Sequence, residues 1–146
     1  MAAAKKVPAD ISRSWLLVNG NKPEIFDKAA ASRADQIILD VEDAVDPKDK
    51  PAALEAVVAW LEAGGKAWVR INDRLTPFWA ADCARLKGVK NLQGVMLAKT
   101  EDASHVEDTN EALGGKVPII ALVESALGIE EARNIACAKG AFRLAF

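Results

Sequence analysis

Six short apolar runs recur along the 146-residue chain, and their starts are 21 to 31 residues apart. The runs begin at residues 15, 36, 67, 94, 118 and 142, and each spans four to six residues. They are continuous rather than alternating, which is typical of strands buried on both faces, as in a parallel sheet. Each interval has room for one strand, one helix and two short loops. The spacing therefore predicts an α/β fold.

The segments between the runs carry signals for helix starts and ends. Pro23 precedes one apolar stripe, Asp46-Pro47 opens a second predicted helix, and Thr76-Pro77 opens a third. Two more helices are predicted over 102–113 and 128–138, and glycines follow four of the five segments. Capping residues at one end and glycines at the other are the expected asymmetry of helices. The sequence predicts five βα units and a sixth strand.

Composition and charge exclude several classes of function. The chain has 19 basic and 21 acidic residues, a formal net charge of −2, which argues against a nucleic-acid or anionic-membrane partner. No apolar run approaches the roughly 20 residues of a membrane span, and the start lacks a secretory pattern. Cys83 and Cys137 lie in predicted helices, as in a reduced cytoplasmic protein. The single histidine, His105, lies in an acidic run, which argues against a Ser/His/Asp relay or a His-rich zinc site.

Two architectures fit this alternation, a doubly wound open sheet and a (β/α)8 barrel. An open sheet needs functional residues at one or two strand ends, whereas a barrel uses the carboxyl ends of many strands. Here five of the six strands are followed by polar side chains: Asn19-Gly20-Asn21, then Asp40, Glu42 and Asp43, then Arg70, Asn72 and Asp73, then Lys99, then Glu124. No G-x-G-x-x-G or phosphate-loop lysine motif is present. The pattern favours the barrel.

A complete barrel needs about 250 residues, so we expect this chain to hold a truncated one of about five βα units plus a sixth strand. The last run, 142–146, is apolar and has no helix after it to cover it, which supports this expectation. Residues 1–13 are predicted to form an N-terminal tail, and residues 14–146 the N-terminal part of the barrel domain.

The order and spacing of several short motifs resemble one known family. They are Ser14 to Val18, Gly20 to Glu24, Ile38 to Val45, Val69 to Asn72, Ala121 to Ser125 and Arg143 to Phe146. Together they are similar to the citrate lyase beta-subunit (CitE-like) family of the HpcH/HpaI aldolase group. The chain departs from that family at Asn19 and Ala98, where proline is common. Both are loop positions, so the departures bear on which subgroup the chain resembles more than on the family.

The resemblance implies a magnesium-dependent carbon–carbon lyase on a TIM barrel of the phosphoenolpyruvate/pyruvate superfamily. Such an enzyme cleaves a (3S)-citryl-CoA-like or malyl/citramalyl-CoA-like thioester to an acyl-CoA and a 2-oxo acid such as oxaloacetate. Cleavage leaves negative charge on an enolate, and a divalent cation can act on it as a Lewis acid. The resemblance also implies a homo-oligomer, a trimer or hexamer at full length. We expect the 146-residue piece alone to be inactive.

The resemblance also assigns roles to residues. Glu124 matches the first metal ligand, and the second, an aspartate, is expected beyond residue 146. Arg70 matches the arginine that grips the substrate carboxylate, for which a guanidinium fork is suited. Glu42 and Asp43 match acidic residues of the catalytic site, where they would contact metal-bound water, substrate or Arg70.

The remaining assignments concern the rim of the site. Lys99 is expected to make an electrostatic or CoA-side contact, and Asn19 and Gly20 to approach the substrate or the CoA. Asp40 is expected to be structural, holding loop backbone or Arg70. The four tryptophans are interpreted as packing residues.

Two alternatives remain open at this point. One is a metal-dependent class II aldolase that acts on free hydroxy-oxo acids, as in HpcH/HpaI enzymes. The other is a non-catalytic open-sheet binding module of receiver type. That module would need an acidic pair after the first strand, where this chain has Asn19-Gly20-Asn21.

Overall fold

The computed structural model describes residues 6–146, in which six strands alternate with five α-helices. The strands are β1 (Trp15–Asn19), β2 (Gln36–Asp40), β3 (Ala67–Ile71), β4 (Leu92–Leu97), β5 (Ile119–Leu122) and β6 (Ala141–Ala145). The helices are α1 (Phe26–Ala30), α2 (Lys50–Glu62), α3 (Trp79–Leu86), α4 (Ala103–Ala112) and α5 (Ala126–Cys137), and a short 3₁₀ turn, Pro23–Ile25, precedes α1. The six predicted strands and five predicted helices are all confirmed.

The strands form one parallel sheet in sequential order from β1 to β6. A doubly wound sheet reverses its strand order at a switch point and carries helices on both faces. Here the buried apolar side chains of all five helices belong to one cluster on one face of the sheet. The strand order and the one-sided helices rule out the doubly wound sheet and its receiver-type module.

The other face of the sheet has its own small core, which contains no helical residue within the described chain. Ile38, Trp68, Met96 and Ile120 are buried there on four adjacent strands. Gly94 lies beside Trp68 in the sheet, and a Cβ at Gly94 would come within 2.1 Å of the indole ring. Glycine is therefore required at this position by the tryptophan next to it.

The start of α2 differs from the prediction. The helix begins at Lys50 rather than at Asp46-Pro47. Asp46 does accept a hydrogen bond from the Lys48 N–H (3.1 Å), but its carbonyl accepts from Asp49 N–H at 2.8 Å, which closes a separate turn. Asp49 is the residue that precedes the helix. The capping signal at Asp46 therefore marks a turn over residues 46–49 that directly precedes the helix.

Two other helix starts move by two residues. α5 begins at Ala126, because the Ser125 hydroxyl caps it by accepting from the Gly128 N–H at 3.1 Å. α3 begins at Trp79, because residues 73–76 form a turn in which the Thr76 N–H donates to the carbonyl of Asp73. The serine, rather than the glycine, was the signal for the start of α5.

The residues before β1 lie against the amino end of the sheet. Ser12 is buried, and the Gln36 side chain donates to the carbonyl of Val7 at 2.6 Å. Arg143 on β6 donates to the carbonyls of Asp10 and Ser12 at 3.1 and 3.3 Å. The division at residue 13 between a tail and a barrel domain stays a prediction. No helix in residues 6–146 is long and apolar enough to cross a membrane.

Both cysteines are free thiols on helices, Cys83 buried on α3 and Cys137 exposed on α5. Burial raises the pKa of the Cys83 thiol to about 12. The four tryptophans pack as predicted: Trp15 lies edge-on to Trp68, Trp60 edge-on to Phe26, and Trp79 beneath Arg74.

Candidate functional site

The polar residues that follow the strands meet at one edge of the sheet, because the strands are parallel. Asp40 and Arg70 are paired across β2 and β3, two residues beyond the buried Ile38 and Trp68. Side chains two residues apart on a strand point to the same face. Asp40 and Arg70 therefore lie on the face that carries no helices.

Asp40 and Arg70 form a bidentate ion pair. Arg70 Nε donates to Asp40 Oδ1 at 2.8 Å, and Nη2 donates to Oδ2 at 2.7 Å. The Asp40 carboxylate is fully buried and also accepts the backbone N–H groups of Glu42 (2.9 Å) and Ala44 (3.1 Å). The hydrogen bonds to Asp40 raise the pKa of Arg70 above its ordinary value. Asp40 thus holds both the loop backbone and Arg70, as predicted.

One corner of the Arg70 guanidinium remains available. Nη1 makes no hydrogen bond within residues 6–146, and its closest acidic neighbour is Glu42 Oε2 at 3.7 Å. The side chain is 11% exposed, so this nitrogen is shielded without being sealed off. Two N–H bonds on Nη1 are therefore free to meet an anionic ligand at the site.

Glu42 and Asp43 share the ammonium of Lys99. Lys99 Nζ donates to Glu42 Oε1 at 2.5 Å and to Asp43 Oδ1 at 3.2 Å. The hydrogen bond to Glu42 is the main reason that the pKa of Lys99 is raised to about 12, and the same ammonium lowers the pKa of Asp43. Glu42 is buried, whereas Asp43 is exposed. The Lys99 ammonium is thus occupied by protein carboxylates.

Glu124 is exposed and follows β5 by two residues. Its Oε1 accepts the backbone N–H of Lys99 at 2.9 Å, whereas Oε2 has no hydrogen-bond partner in the described chain. Lys99 has φ +48°, a left-handed conformation that is uncommon outside glycine. The next residue, Ser125, donates to Glu101 at 2.6 Å and caps α5, which fixes the backbone beside Glu124.

The loop after β1 is built by Asn19 and Gly20. The Asn19 side chain donates to the carbonyl of Ala44 at 2.8 Å and accepts the N–H of Asn21 at 2.8 Å. Gly20 donates its N–H to the Asp40 carbonyl at 2.8 Å, and a Cβ at Gly20 would lie 2.5 Å from that oxygen. Gly20 is therefore needed for close approach of the two loops.

A second layer of buried polar groups supports the loop after β2, and it was missed from the sequence. Lys50 is buried and donates to the carbonyls of Val41 (3.1 Å) and Glu42 (2.5 Å). Asn72 donates to the Val41 carbonyl at 3.2 Å and to the buried Asp82 at 2.7 Å. Lysine is rarely buried, and the only hint of contact with this loop is that Lys50 lies at the start of α2, close to the loop in the sequence.

The contacts join the strand ends into one group of charged side chains, here termed the rim cluster: Asp40, Glu42, Asp43, Arg70, Lys99 and Glu124. Four carboxylates and two cations leave the rim cluster with an excess of negative charge. No three His, Cys, Asp or Glu side chains within residues 6–146 converge as a metal site. Mg²⁺ commonly takes only one or two protein carboxylates and fills its octahedron with water and substrate. Glu124, with an open oxygen, fits the role of one such ligand.

The sequence profile of HpcH/HpaI aldolase/citrate lyase matches residues 13–146. The chain belongs to this family. The resemblance deduced from the motifs is therefore confirmed. Among the curated proteins, the L-malyl-CoA/beta-methylmalyl-CoA lyase of Rhodobacter capsulatus is 37% identical over 146 residues, covering 90% of this chain and 46% of its own length.

Two solved structures of family members show the same fold. The citrate lyase beta subunit of Mycobacterium tuberculosis, complexed with oxaloacetate and magnesium, has a TM-score of 0.80 at 35% identity, covering 92% of this chain and 58% of that one. The CitE protein of M. tuberculosis in complex with magnesium, acetoacetate and coenzyme A has a TM-score of 0.79 at 36% identity, covering 92% and 48%. The chain spans about half the length of the curated relatives it matches.

Proposed function

We propose that the protein is a magnesium-dependent carbon–carbon lyase that cleaves a CoA thioester of the citryl-, malyl- or citramalyl-CoA type to an acyl-CoA and a 2-oxo acid. In this proposal the described chain supplies five βα units and the sixth strand of a (β/α)8 barrel. The sequential order of the parallel strands supports the barrel, because a (β/α)8 barrel has this order. The helix-free face of the sheet corresponds to the interior of such a barrel. The names of the related lyases support the class of substrate.

The observation that carries the proposal is the rim cluster. It joins an arginine with a free guanidinium corner to a carboxylate with a free oxygen, through contacts that run across the ends of β2, β3, β4 and β5. The substrate would be anionic, and an acidic site repels an anion. A divalent cation bound between the acidic side chains and the anionic substrate would offset this repulsion. This is the physical reason to place Mg²⁺ here.

In the proposed mechanism, Arg70 binds the carboxylate of the oxo-acid portion through Nη1, while Asp40 keeps the guanidinium plane fixed. Glu124 would hold the Mg²⁺ through its free oxygen, and an aspartate beyond residue 146 would be the second ligand. Bound Mg²⁺ supplies Lewis-acid stabilisation of negative charge on a carbonyl oxygen. Glu42 and Asp43 orient the cations of the site around the substrate.

The loop after β1 is proposed to contact the thioester side of the substrate. Asn19 and Gly20 lie at the same edge as the rim cluster, and the Asn19 side chain is bound to the neighbouring loop. Their contribution would be to shape the loop and offer backbone groups. The homo-oligomer expected of the intact protein remains part of this proposal.

The test is turnover of malyl-, β-methylmalyl-, citramalyl- and citryl-CoA by the intact protein, with and without Mg²⁺. We expect Mg²⁺-dependent cleavage of at least one thioester. Arg70→Lys and Glu124→Gln should each lower kcat/KM about 100-fold or more, a typical loss when one stabilising group is removed from a site. Arg85→Lys, at a half-buried position of α3, and Glu130→Gln, at an exposed position of α5, are the matched controls and should retain activity.

Turnover without Mg²⁺, or full activity of Glu124→Gln, would contradict the proposal. The family also contains aldolases, so the panel includes a free 4-hydroxy-2-oxo acid. Cleavage of that compound with no cleavage of any thioester would favour the aldolase function over the lyase function.

A further inference from the structure

Lys99 follows β4 by two residues and contacts the rim cluster twice. Its backbone binds Glu124, and its side chain binds Glu42 and Asp43. Its own N–H donates to Glu124 Oε1, while the next N–H, of Thr100, donates to the Leu122 carbonyl of β5 at 2.9 Å. The preceding N–H, of Ala98, points the other way and donates to Ile71 of β3 at 3.4 Å. The left-handed conformation of Lys99 accompanies this change of direction. This conformation is unfavourable for residues other than glycine, and here it is adopted by a residue with a long cationic side chain.

That side chain crosses the site to a residue 57 positions earlier. Both Glu42 oxygens are occupied: Oε1 accepts Lys99 Nζ, and Oε2 accepts the N–H of Asp43 at 2.8 Å. Glu42 Oε2 lies 3.7 Å from Arg70 Nη1, slightly beyond hydrogen-bond distance. A small movement of Glu42 would therefore close a direct hydrogen bond to the guanidinium corner that is still free.

We propose that Lys99 is a positioning residue that holds Glu42 away from the free corner of Arg70, so that this corner stays available to the carboxylate of the substrate. The inference rests on the proposed function of the site. Glu42 is buried, and within residues 6–146 its carboxylate lies within 4 Å of only two cationic side chains, so removal of the Lys99 ammonium leaves Arg70 as the remaining one. A buried carboxylate without a cationic partner is energetically unfavourable, so Glu42 is expected to move towards Arg70. Glu42 would then compete with the substrate for Nη1.

The test is a double-mutant cycle on ligand binding, which needs no turnover. The probe is pyruvate, titrated calorimetrically into the intact protein at saturating Mg²⁺. Lys99→Met keeps a straight side chain and the backbone N–H but removes the charge, and it should weaken pyruvate binding about 10-fold. Lys99→Arg keeps the charge and should bind within about threefold of the unsubstituted protein. Lys139→Met, at an exposed lysine after α5, is the matched control and should have no effect.

The decisive arm is the same substitution in a Glu42→Gln background. A neutral glutamine does not compete for the guanidinium as a carboxylate does, so Lys99→Met should change pyruvate affinity less than about threefold there. Such non-additivity is the signature of two side chains acting as a unit.

An equal loss in both backgrounds would show that Lys99 contacts the ligand itself and would overturn the inference. No loss in Lys99→Met, or failure of Lys99→Arg to preserve binding, would also overturn it. If the unsubstituted protein binds none of pyruvate, glyoxylate and oxaloacetate at saturating Mg²⁺, the proposed function is overturned and this inference with it. The two failures are therefore distinguishable.

Discussion

Removal of the Asp40 carboxylate is predicted to destabilise the protein far more than removal of a similar carboxylate on the surface. Asp40 is fully buried and accepts four hydrogen bonds, two from the Arg70 fork and two from the backbone of the loop after β2. Asp40→Ala leaves a shielded guanidinium without its main partner and a buried N–H, that of Glu42, without an acceptor. Breaking a buried pair from one side costs about 3–5 kcal/mol.

The chain contains a matched control for this prediction. Arg85 forms the same bidentate geometry with Glu55, at 2.8 and 3.1 Å, but the Glu55 side chain is 61% exposed. Water can solvate both partners after Glu55→Ala, so the expected cost is about 0–1 kcal/mol. The two substitutions remove the same kind of hydrogen-bonded fork and differ in burial.

The assay is urea unfolding, with the free energy of unfolding taken by linear extrapolation for each variant. Asp40→Ala should lose at least about 2 kcal/mol more than Glu55→Ala. Because a loss of this size is a large part of the stability of a typical domain, Asp40→Asn, which preserves shape, is measured as well. Equal losses for Asp40→Ala and Glu55→Ala would refute the conclusion that burial makes the Asp40–Arg70 pair important.

Three further predictions follow from burial elsewhere in the chain. Iodoacetamide at pH 8 should label Cys137 in the folded protein and Cys83 only after unfolding, because burial raises the pKa of Cys83 to about 12; early labelling of Cys83 would contradict this. Gly94→Ala should cost about 1–3 kcal/mol in urea unfolding, because the new methyl group collides with Trp68. Burial raises the pKa of Asp82 above 3.8 in the folded protein, so the unfolded chain loses this proton first as pH rises. Stability relative to Asp82→Asn should therefore fall as the pH rises through and above 3.8, and a rise would contradict the burial effect.

The inner strands β2 to β5 could be predicted from the sequence because they are largely buried on both faces, whereas the outer strands β1 and β6 are partly exposed. A run such as Gln36–Asp40, buried at all five positions, has no polar alternation that could be confused with an amphipathic helix. Helix starts were less predictable, because a capping side chain can close an isolated turn. Asp46 does so, and the helix begins at Lys50.

The members of the site could be predicted from the sequence, but not the partners of each side chain. Asp40, Arg70 and Glu124 were placed at one sheet edge because the carboxyl ends of parallel strands share that edge. The Lys99 ammonium binds Glu42, which lies far earlier in the chain. Whether a lysine binds a ligand or a protein carboxylate is decided by the tertiary structure, which the local sequence does not show. Lys50 was overlooked for the same reason, since its acceptors are backbone carbonyls of a loop.

The most direct test of the proposed site is the thermodynamic coupling between Mg²⁺ and a 2-oxo acid. Calorimetric titration of pyruvate into the intact protein, at zero and at saturating Mg²⁺, measures this coupling, and Mg²⁺ must gain affinity by the same factor when pyruvate is bound. We predict at least about a 10-fold gain, lost in Glu124→Gln and kept in Glu130→Gln. Pyruvate binding that is indifferent to Mg²⁺, or coupling that survives Glu124→Gln, would contradict a shared site at the carboxyl ends of these strands.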